Sequence, residues 1–216
     1  MGYRTVIFDM DGTILDTLED ILDSVNVTMD HVGYPHHTKE KMRHFLGNGA
    51  ATQIQRCVPG GAEDPKYQEA LDFYLGYYNE HAKIKTGPYP GIVDVLKKLK
   101  EQGVKTAVVS NKPDVTVQEL SEEFFTGLFD VSMGERAGMK KKPAPDSVFE
   151  AMKLLDADPN DCVYVGDSEV DMATARNSNL PCVTVTWGFR DEDFLREQGA
   201  TTFAHTMDEL LEELTK

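Results

Sequence analysis

What this chain has little of narrows its reading first. Its 216 residues carry only 22 lysines and arginines against 37 aspartates and glutamates, for a net charge of −15. No basic stretch offsets that excess, the longest being Lys140-Lys141-Lys142. A nucleic-acid backbone or an anionic membrane surface would be repelled, so neither is expected as a partner. Long apolar runs are missing too. The opening Tyr3-Arg4-Thr5-Val6-Ile7-Phe8 is too short for a signal peptide or a membrane span and leads straight into acidic residues. Cysteine is scarce: Cys57, Cys162 and Cys182 lie far apart, so no metal-type pair exists and buried, reduced thiols are expected. The cytoplasm is the expected compartment.

What is present is ordinary in bulk and specific in detail. Hydrophobic residues make up 40% and charged residues 27%, values that exclude disorder as the overall state. Apolar, β-rich runs at residues 3–9, 104–110, 162–166 and 182–186, with a weaker one at 129–132, show little polar alternation. Such strands are covered on both faces and point to a parallel sheet. Helical spacing falls between them: Ile92, Val95, Leu96 and Leu99; then Val117 and Leu120, with Asp114 as the cap; then Val148, Phe149, Met152 and Leu155, with Asp146 as the cap. Met207, Leu210, Leu211 and Leu214 close the chain as an amphipathic helix. The alternation predicts an α/β fold, a doubly wound, Rossmann-like parallel sheet.

Residues 16–85 break the alternation. Leu18, Ile21, Leu22, Val25, Met29 and Val32 keep helical spacing, as do Tyr67, Leu71, Tyr74, Leu75 and Tyr78, and no strand-like run separates them. The prediction is an all-helical domain over 16–85 inserted into a core of 1–15 and 86–216, with Thr86-Gly87-Pro88-Tyr89-Pro90-Gly91 as the return linker.

Ligands of a parallel α/β sheet sit beyond the C-terminal ends of its strands. Those ends hold Asp9, Asp11, Gly12 and Thr13; Ser110 and Asn111; Lys142; and Gly166, Asp167, Ser168 and Asp171. An Asp-Gly pair by itself is usually a turn. Carboxylates, a hydroxyl and an ammonium converging from four strand ends are a different matter. Crowded carboxylates repel one another, and a divalent cation resolves the conflict; oxygen ligands and phosphate chemistry favour Mg²⁺. Beside it one aspartate can attack phosphorus while another protonates the leaving alkoxide. A lysine and a hydroxyl neutralise the phosphoryl oxygens.

Asp9-Met10-Asp11-Gly12-Thr13, Ser110-Asn111-Lys112, Lys142-Pro143 and Gly166-Asp167-Ser168-Glu169-Val170-Asp171 resemble the four motifs of the haloacid dehalogenase superfamily. The helical insert resembles that family's type-1 cap. Leu46-Gly47-Asn48-Gly49-Ala50, Ser110-Asn111-Lys112-Pro113 and Trp187-Gly188-Phe189-Arg190 are most similar to its phosphoglycolate phosphatase group. The resemblance implies Asp9 as nucleophile and metal ligand, and Asp11 as general acid and base with its carbonyl on the metal. It implies Thr13, Ser110, Asn111 and Lys142 as phosphate-binding, Asp167 as a Mg²⁺ ligand, and Asp171 as orienting a metal water or Lys142. Gly47, Asn48 and Gly49 read equally as a tight turn and as cap backbone approaching the substrate; Arg190 is a candidate to reach the crevice. The substrate expected is a small phosphorylated metabolite, with 2-phosphoglycolate first. Inorganic pyrophosphate, a sugar phosphate, a phosphomutase of the β-phosphoglucomutase type and a non-catalytic binding module are the rivals. Monomer and homodimer are both open.

Overall fold

The computed structural model describes residues 2–216. The chain divides into two units, Met1–Leu15 with Pro88–Lys216, and Asp16–Gly87. Two short strands, β2 (Leu15–Asp16) and β3 (Gly87–Pro88), mark where the chain passes between them.

The larger unit is built on β1 (Thr5–Phe8), β4 (Lys105–Pro113), β5 (Val131–Glu135), β6 (Cys162–Gly166), β7 (Cys182–Val185) and β8 (Phe203–Ala204). They form one six-stranded sheet in the order β5-β4-β1-β6-β7-β8, every pairing parallel. β1 lies inside it, Thr5 opposite Lys105 and Cys162, Phe8 opposite Val108 and Val165. The period-2 alternation of a strand sends Val6, Phe8, Val108, Val163 and Val165 into one apolar layer with α5 (Ile92–Glu101), α6 (Asp114–Phe125) and α10 (Met207–Thr215). Ile7, Ala107, Val109 and Tyr164 enter the opposite layer with α7 (Asp146–Leu154) and α8 (Glu169–Asn177). Both faces are covered, which is why these strands read as continuous apolar runs. The fold is therefore the doubly wound α/β arrangement that the sequence predicts.

Three local expectations differ. β8 and α9 (Glu192–Glu197) are too short to leave a periodic signal. Asp114 is the first residue of α6 rather than its cap, and its carboxylate accepts from the Gly134 N–H and pairs with Arg136, tying the helix to β5. Asp146 likewise opens α7 from inside.

The smaller unit consists of α1 (Leu18–Val32), α2 (Lys39–Phe45), α3 (Ala50–Cys57) and α4 (Tyr67–His81). α1 and α4 pack together, burying Ile21, Val25, Met29, Tyr74 and Tyr78. Asp20, buried on α1, accepts from the Lys85 and Thr86 N–H groups and pins the end of the unit to its start. Asp64 is buried too and accepts from the N–H groups of Gly60 and Lys66 and from the Tyr34 hydroxyl. Among the described residues no helix is long and apolar enough to cross a membrane.

Candidate active site

β1 delivers Asp9 at its C-terminal end, where the Asp9 N–H donates to the Val165 carbonyl at 2.9 Å. The chain then turns tightly: Thr13, Ile14 and Leu15 all donate to the Met10 carbonyl, and Gly12 donates back to the Leu15 carbonyl. Gly12 has a φ of 82°, and a Cβ there would stand 2.5 Å from Asp167 Oδ2. Only glycine lets this turn lie against the carboxylate that follows β6.

Asp167 approaches from β6, and α8 begins directly after it. Asp171 Oδ2 accepts from the Ser168 N–H at 3.1 Å, the Ser168 hydroxyl at 2.6 Å and the Asp167 N–H at 3.3 Å, completing a capping box. Its other oxygen faces Lys142. The Lys142 ammonium has three N–H groups and three partners: Asp9 Oδ1 at 2.7 Å, Asp171 Oδ1 at 2.9 Å and the Tyr164 hydroxyl at 2.9 Å. Tyr164 comes from β6 and also donates to Asp171 Oδ1 at 3.3 Å.

One ammonium therefore serves two buried carboxylates while a third stands near. Carboxylate oxygens of Asp9, Asp167 and Asp171 lie within 4.8 Å of one another. Burial, then the charges of Asp171, Asp167 and Asp11, push Asp9 well above the usual carboxylate range, with Lys142 opposing. Burial and Asp171 push Asp167 up to about 7, against the Phe189 N–H, Arg190 and Lys142. Burial acts to lower Lys142, but Asp171 and Asp9 hold it well above its ordinary value, so it stays an ammonium.

A divalent cation fits this donor set: hard oxygens, enclosed, with negative charge in excess. Asp171 is close enough, yet its oxygens are already engaged by Lys142, Tyr164, Ser168 and Asp167. Of the two roles expected for it, the geometry favours orienting Lys142. Asp9 and Asp167 keep the larger capacity for a cation. Thr13, expected to bind phosphate, donates its hydroxyl to Asp167 Oδ1 at 3.3 Å and so also supports the acidic cluster.

Ser110 and Asn111 sit at the end of β4, each 5% exposed. The Asn111 amide donates to the Lys142 carbonyl at 2.9 Å and so joins two of the motifs. Asp11 pairs with Lys112, Nζ to Oδ1 at 3.0 Å; the Lys112 side chain is 4% exposed against 20% for Asp11. Arg190, a candidate to reach the crevice, is buried and forms a two-pronged pair with Glu169, Nε to Oε2 at 2.7 Å and Nη2 to Oε1 at 3.0 Å. In the smaller unit, Gly47, Asn48 and Gly49 form the turn between α2 and α3. Both glycines have positive φ, and Asn48 Oδ1 accepts from Arg56, which also donates to the Phe45 carbonyl.

Sequence reasoning gave no role to Tyr164, Lys112 or the 187–189 loop. The Phe189 N–H donates to Asp167 Oδ2 at 2.7 Å, and the Trp187 indole donates to the Thr13 carbonyl at 3.0 Å. A Cβ on Gly188 would stand 2.3 Å from the Asp167 Cβ and 2.5 Å from the Gly12 carbonyl oxygen, so this loop too needs a glycine to close on the site. The run Trp187-Gly188-Phe189 carried the signal, a small residue framed by aromatics beyond a strand end.

The profile of the haloacid dehalogenase-like hydrolase family matches residues 6–185. The chain belongs to this family. It is 32% identical over 215 residues to phosphoglycolate phosphatase 1 of Pseudomonas aeruginosa, covering 96% of this chain and 78% of that protein. It is 28% identical to a phosphoglycolate phosphatase of Colwellia psychrerythraea, covering 96% and 95%. Among solved structures, a protein of Lactobacillus delbrueckii subsp. bulgaricus provisionally named phosphoglycolate phosphatase superposes with a TM-score of 0.96 at 40% identity, covering 100% of this chain and 99% of that one. Within the family the chain is thus an enzyme of the phosphatase type.

Proposed function

We propose that this enzyme hydrolyses a small phosphate monoester, 2-phosphoglycolate first among candidates, through an aspartyl-phosphate on Asp9. The observation that carries the reading is the set around Asp9: a buried carboxylate at a strand end, held at 2.7 Å by Lys142, facing Asp167, with Asp11 two residues on. Lys142 aims Asp9 Oδ1 and leaves the other oxygen to attack phosphorus. The phosphorus–ester oxygen bond breaks as the Asp9–phosphorus bond forms, and Asp11 gives its proton to the departing alkoxide. Asp11 then takes a proton from water, which attacks the aspartyl-phosphate and frees Asp9. Ser110, the Asn111 backbone and Lys142 bind the phosphoryl oxygens.

Asp9, Asp167 and the Asp11 carbonyl would hold Mg²⁺. The ion would neutralise the carboxylate cluster and the phosphoryl charge, letting Asp9 stay ionised near an anionic ester. The acidic surface repels polyanions, so a small metabolite in the cytoplasm suits it better than a nucleic acid. The names of the relatives support 2-phosphoglycolate over a sugar phosphate or pyrophosphate.

The test is release of inorganic phosphate from a panel of phosphorylated metabolites, with Mg²⁺ and with a chelator. The wild type is expected to prefer 2-phosphoglycolate and to need the metal. Asp9→Asn, nearly isosteric, is expected to lower kcat by about 10⁴-fold or more while the far-ultraviolet dichroism is unchanged. Residual turnover within about 100-fold of wild type would overturn Asp9 as nucleophile.

A further inference from the structure

A cavity of about 320 Å³ lies apart from the carboxylate cluster, between α8, β7 and the turn at residues 198–201 that leads into β8. That is the volume of about ten waters of the liquid at ~30 Å³ each, and it falls at the lower end of the range that holds small organic ligands. Much of its wall is apolar: Met172, Ala175, Leu180 and Cys182 line it, the first three of them buried. Water gains few hydrogen bonds against such a wall, so an apolar group fills it better. Burial, then the charge of Asp171, push the Cys182 thiol up to about 12, so it lines the cavity as a neutral group and not as a nucleophile.

One cation stands beside this wall. Arg176, in the last turn of α8, lines the cavity and is exposed. Among the described residues its guanidinium has no hydrogen-bond or ion-pair partner. Arg190 and Arg196 differ, since each holds a glutamate, Glu169 and Glu192. In a chain with 37 acidic residues, an arginine that none of them engages is able to take an anion from outside. Thr184, two residues from Cys182 on β7 and so on the same face, adds a hydroxyl to the lining.

We propose that this cavity is a second binding site, for a small monocarboxylate with an apolar body, the carboxylate on Arg176 and the body against Met172, Ala175, Leu180 and Cys182. The planar guanidinium fork matches a carboxylate with two parallel hydrogen bonds. A phosphate dianion fits worse, because it has no apolar part to bury and the charge of Asp171 is felt at the wall. Met172 follows Asp171, whose carboxylate holds Lys142, so consecutive residues of α8 serve the active site and the cavity. The two sites share no residue, and the second stands whatever ester the enzyme cleaves.

The experiment is calorimetric titration of the whole protein with benzoate, its neutral counterpart benzamide, and acetate. Benzoate is expected to bind with a Kd of about 0.1–1 mM, and the other two at least about 10-fold more weakly. Arg176→Gln is expected to weaken benzoate about 10-fold and to leave benzamide within about 2-fold. Thr201→Trp, at an exposed position in the lining, is expected to weaken benzoate and benzamide alike. Circular dichroism checks that both variants fold. Location is read separately: benzoate at ten times its Kd is expected to slow modification of Cys182 by methyl methanethiosulfonate about 10-fold, followed by mass spectrometry. Benzoate affinity unchanged in Arg176→Gln would overturn the recognition of the carboxylate. Cys182 left unprotected by bound benzoate would overturn the location, and an absence of binding by wild type would overturn the site.

Discussion

Asp64 in the helical unit and Asp9 at the end of β1 are both buried aspartates, yet their surroundings differ in kind. Asp64 meets donors only: the N–H groups of Gly60 and Lys66 and the Tyr34 hydroxyl. Those bonds, the Lys66 N–H foremost, hold its carboxyl below the usual range against the opposing effect of burial. Asp9 meets one ammonium and three other carboxylates, and its carboxyl is driven up. A buried charge matched by donors keeps a loop in shape. A buried charge facing like charges is a defect in a fold and an asset in a catalyst, because a cation or a phosphoryl group relieves it.

The contrast can be broken most sharply at Asp167. Replacing it with Asn keeps the shape and removes a charge, so folding should survive. We expect kcat/KM to fall by about 10³-fold at saturating Mg²⁺, with a large rise in the Mg²⁺ concentration needed for half-maximal rate. An unaltered metal requirement would put Asp167 in the same structural class as Asp64.

The next test is thermal. Burial and the charge of Asp171 push the Asp167 carboxyl up to about 7 in the folded protein, against about 3.9 for a free aspartate. Between those values the folded protein holds a proton that the unfolded chain has lost, so stability without metal should decline as pH rises from about 4 to 7. A cation reverses the sign by favouring the ionised cluster. Added Mg²⁺ should therefore raise Tm by about 5–10 °C more at pH 8 than at pH 5, measured by calorimetry. Equal metal stabilisation at both pH values would remove the raised carboxyls from the account.

The smallest effect is expected at Asp64. Its depressed carboxyl contributes stability above the unfolded value near 3.9, and that contribution is lost as pH falls through the folded value. Asp64→Asn should lower Tm by a few degrees, less so in acid, and leave kcat/KM within about two-fold. A large catalytic loss there would show that donor-matched carboxylates also serve the chemistry.

The sheet was legible because its strands are buried on both faces, so Val6 to Phe8 or Val163 to Val165 stand out as unbroken apolar runs. The position of the candidate site followed from topology, since Asp9, Lys142 and Asp167 each follow a strand and Ser110 lies in the C-terminal half of β4. What stayed hidden was the partner of each polar group. Tyr164 reads as a strand residue until the register turns its hydroxyl toward Lys142. Thr13 reads as a hydroxyl for phosphate, and its bond to Asp167 shows only once the Gly12 turn is folded. Lys112 and Arg190 are alike as basic residues at strand ends, yet one meets Asp11 and the other Glu169. Composition and period set which residues are buried; pairing within a buried cluster depends on distances that no one-dimensional pattern carries.

The indole hydrogen bond from Trp187 to the Thr13 carbonyl has a practical consequence. Trp187 is the sole tryptophan of the chain, so its emission comes from one place. That place is the backbone turn that carries Asp9 and Asp11, one hydrogen bond removed from Asp167. The protein therefore carries a built-in optical reporter. Any event that reshapes the turn alters the indole's electrostatic surroundings, and under the proposed mechanism cation entry, phosphorylation of Asp9 and product departure would each do so. Stopped-flow fluorescence can follow these steps in turn without a label, separating processes that steady-state phosphate release folds into one number.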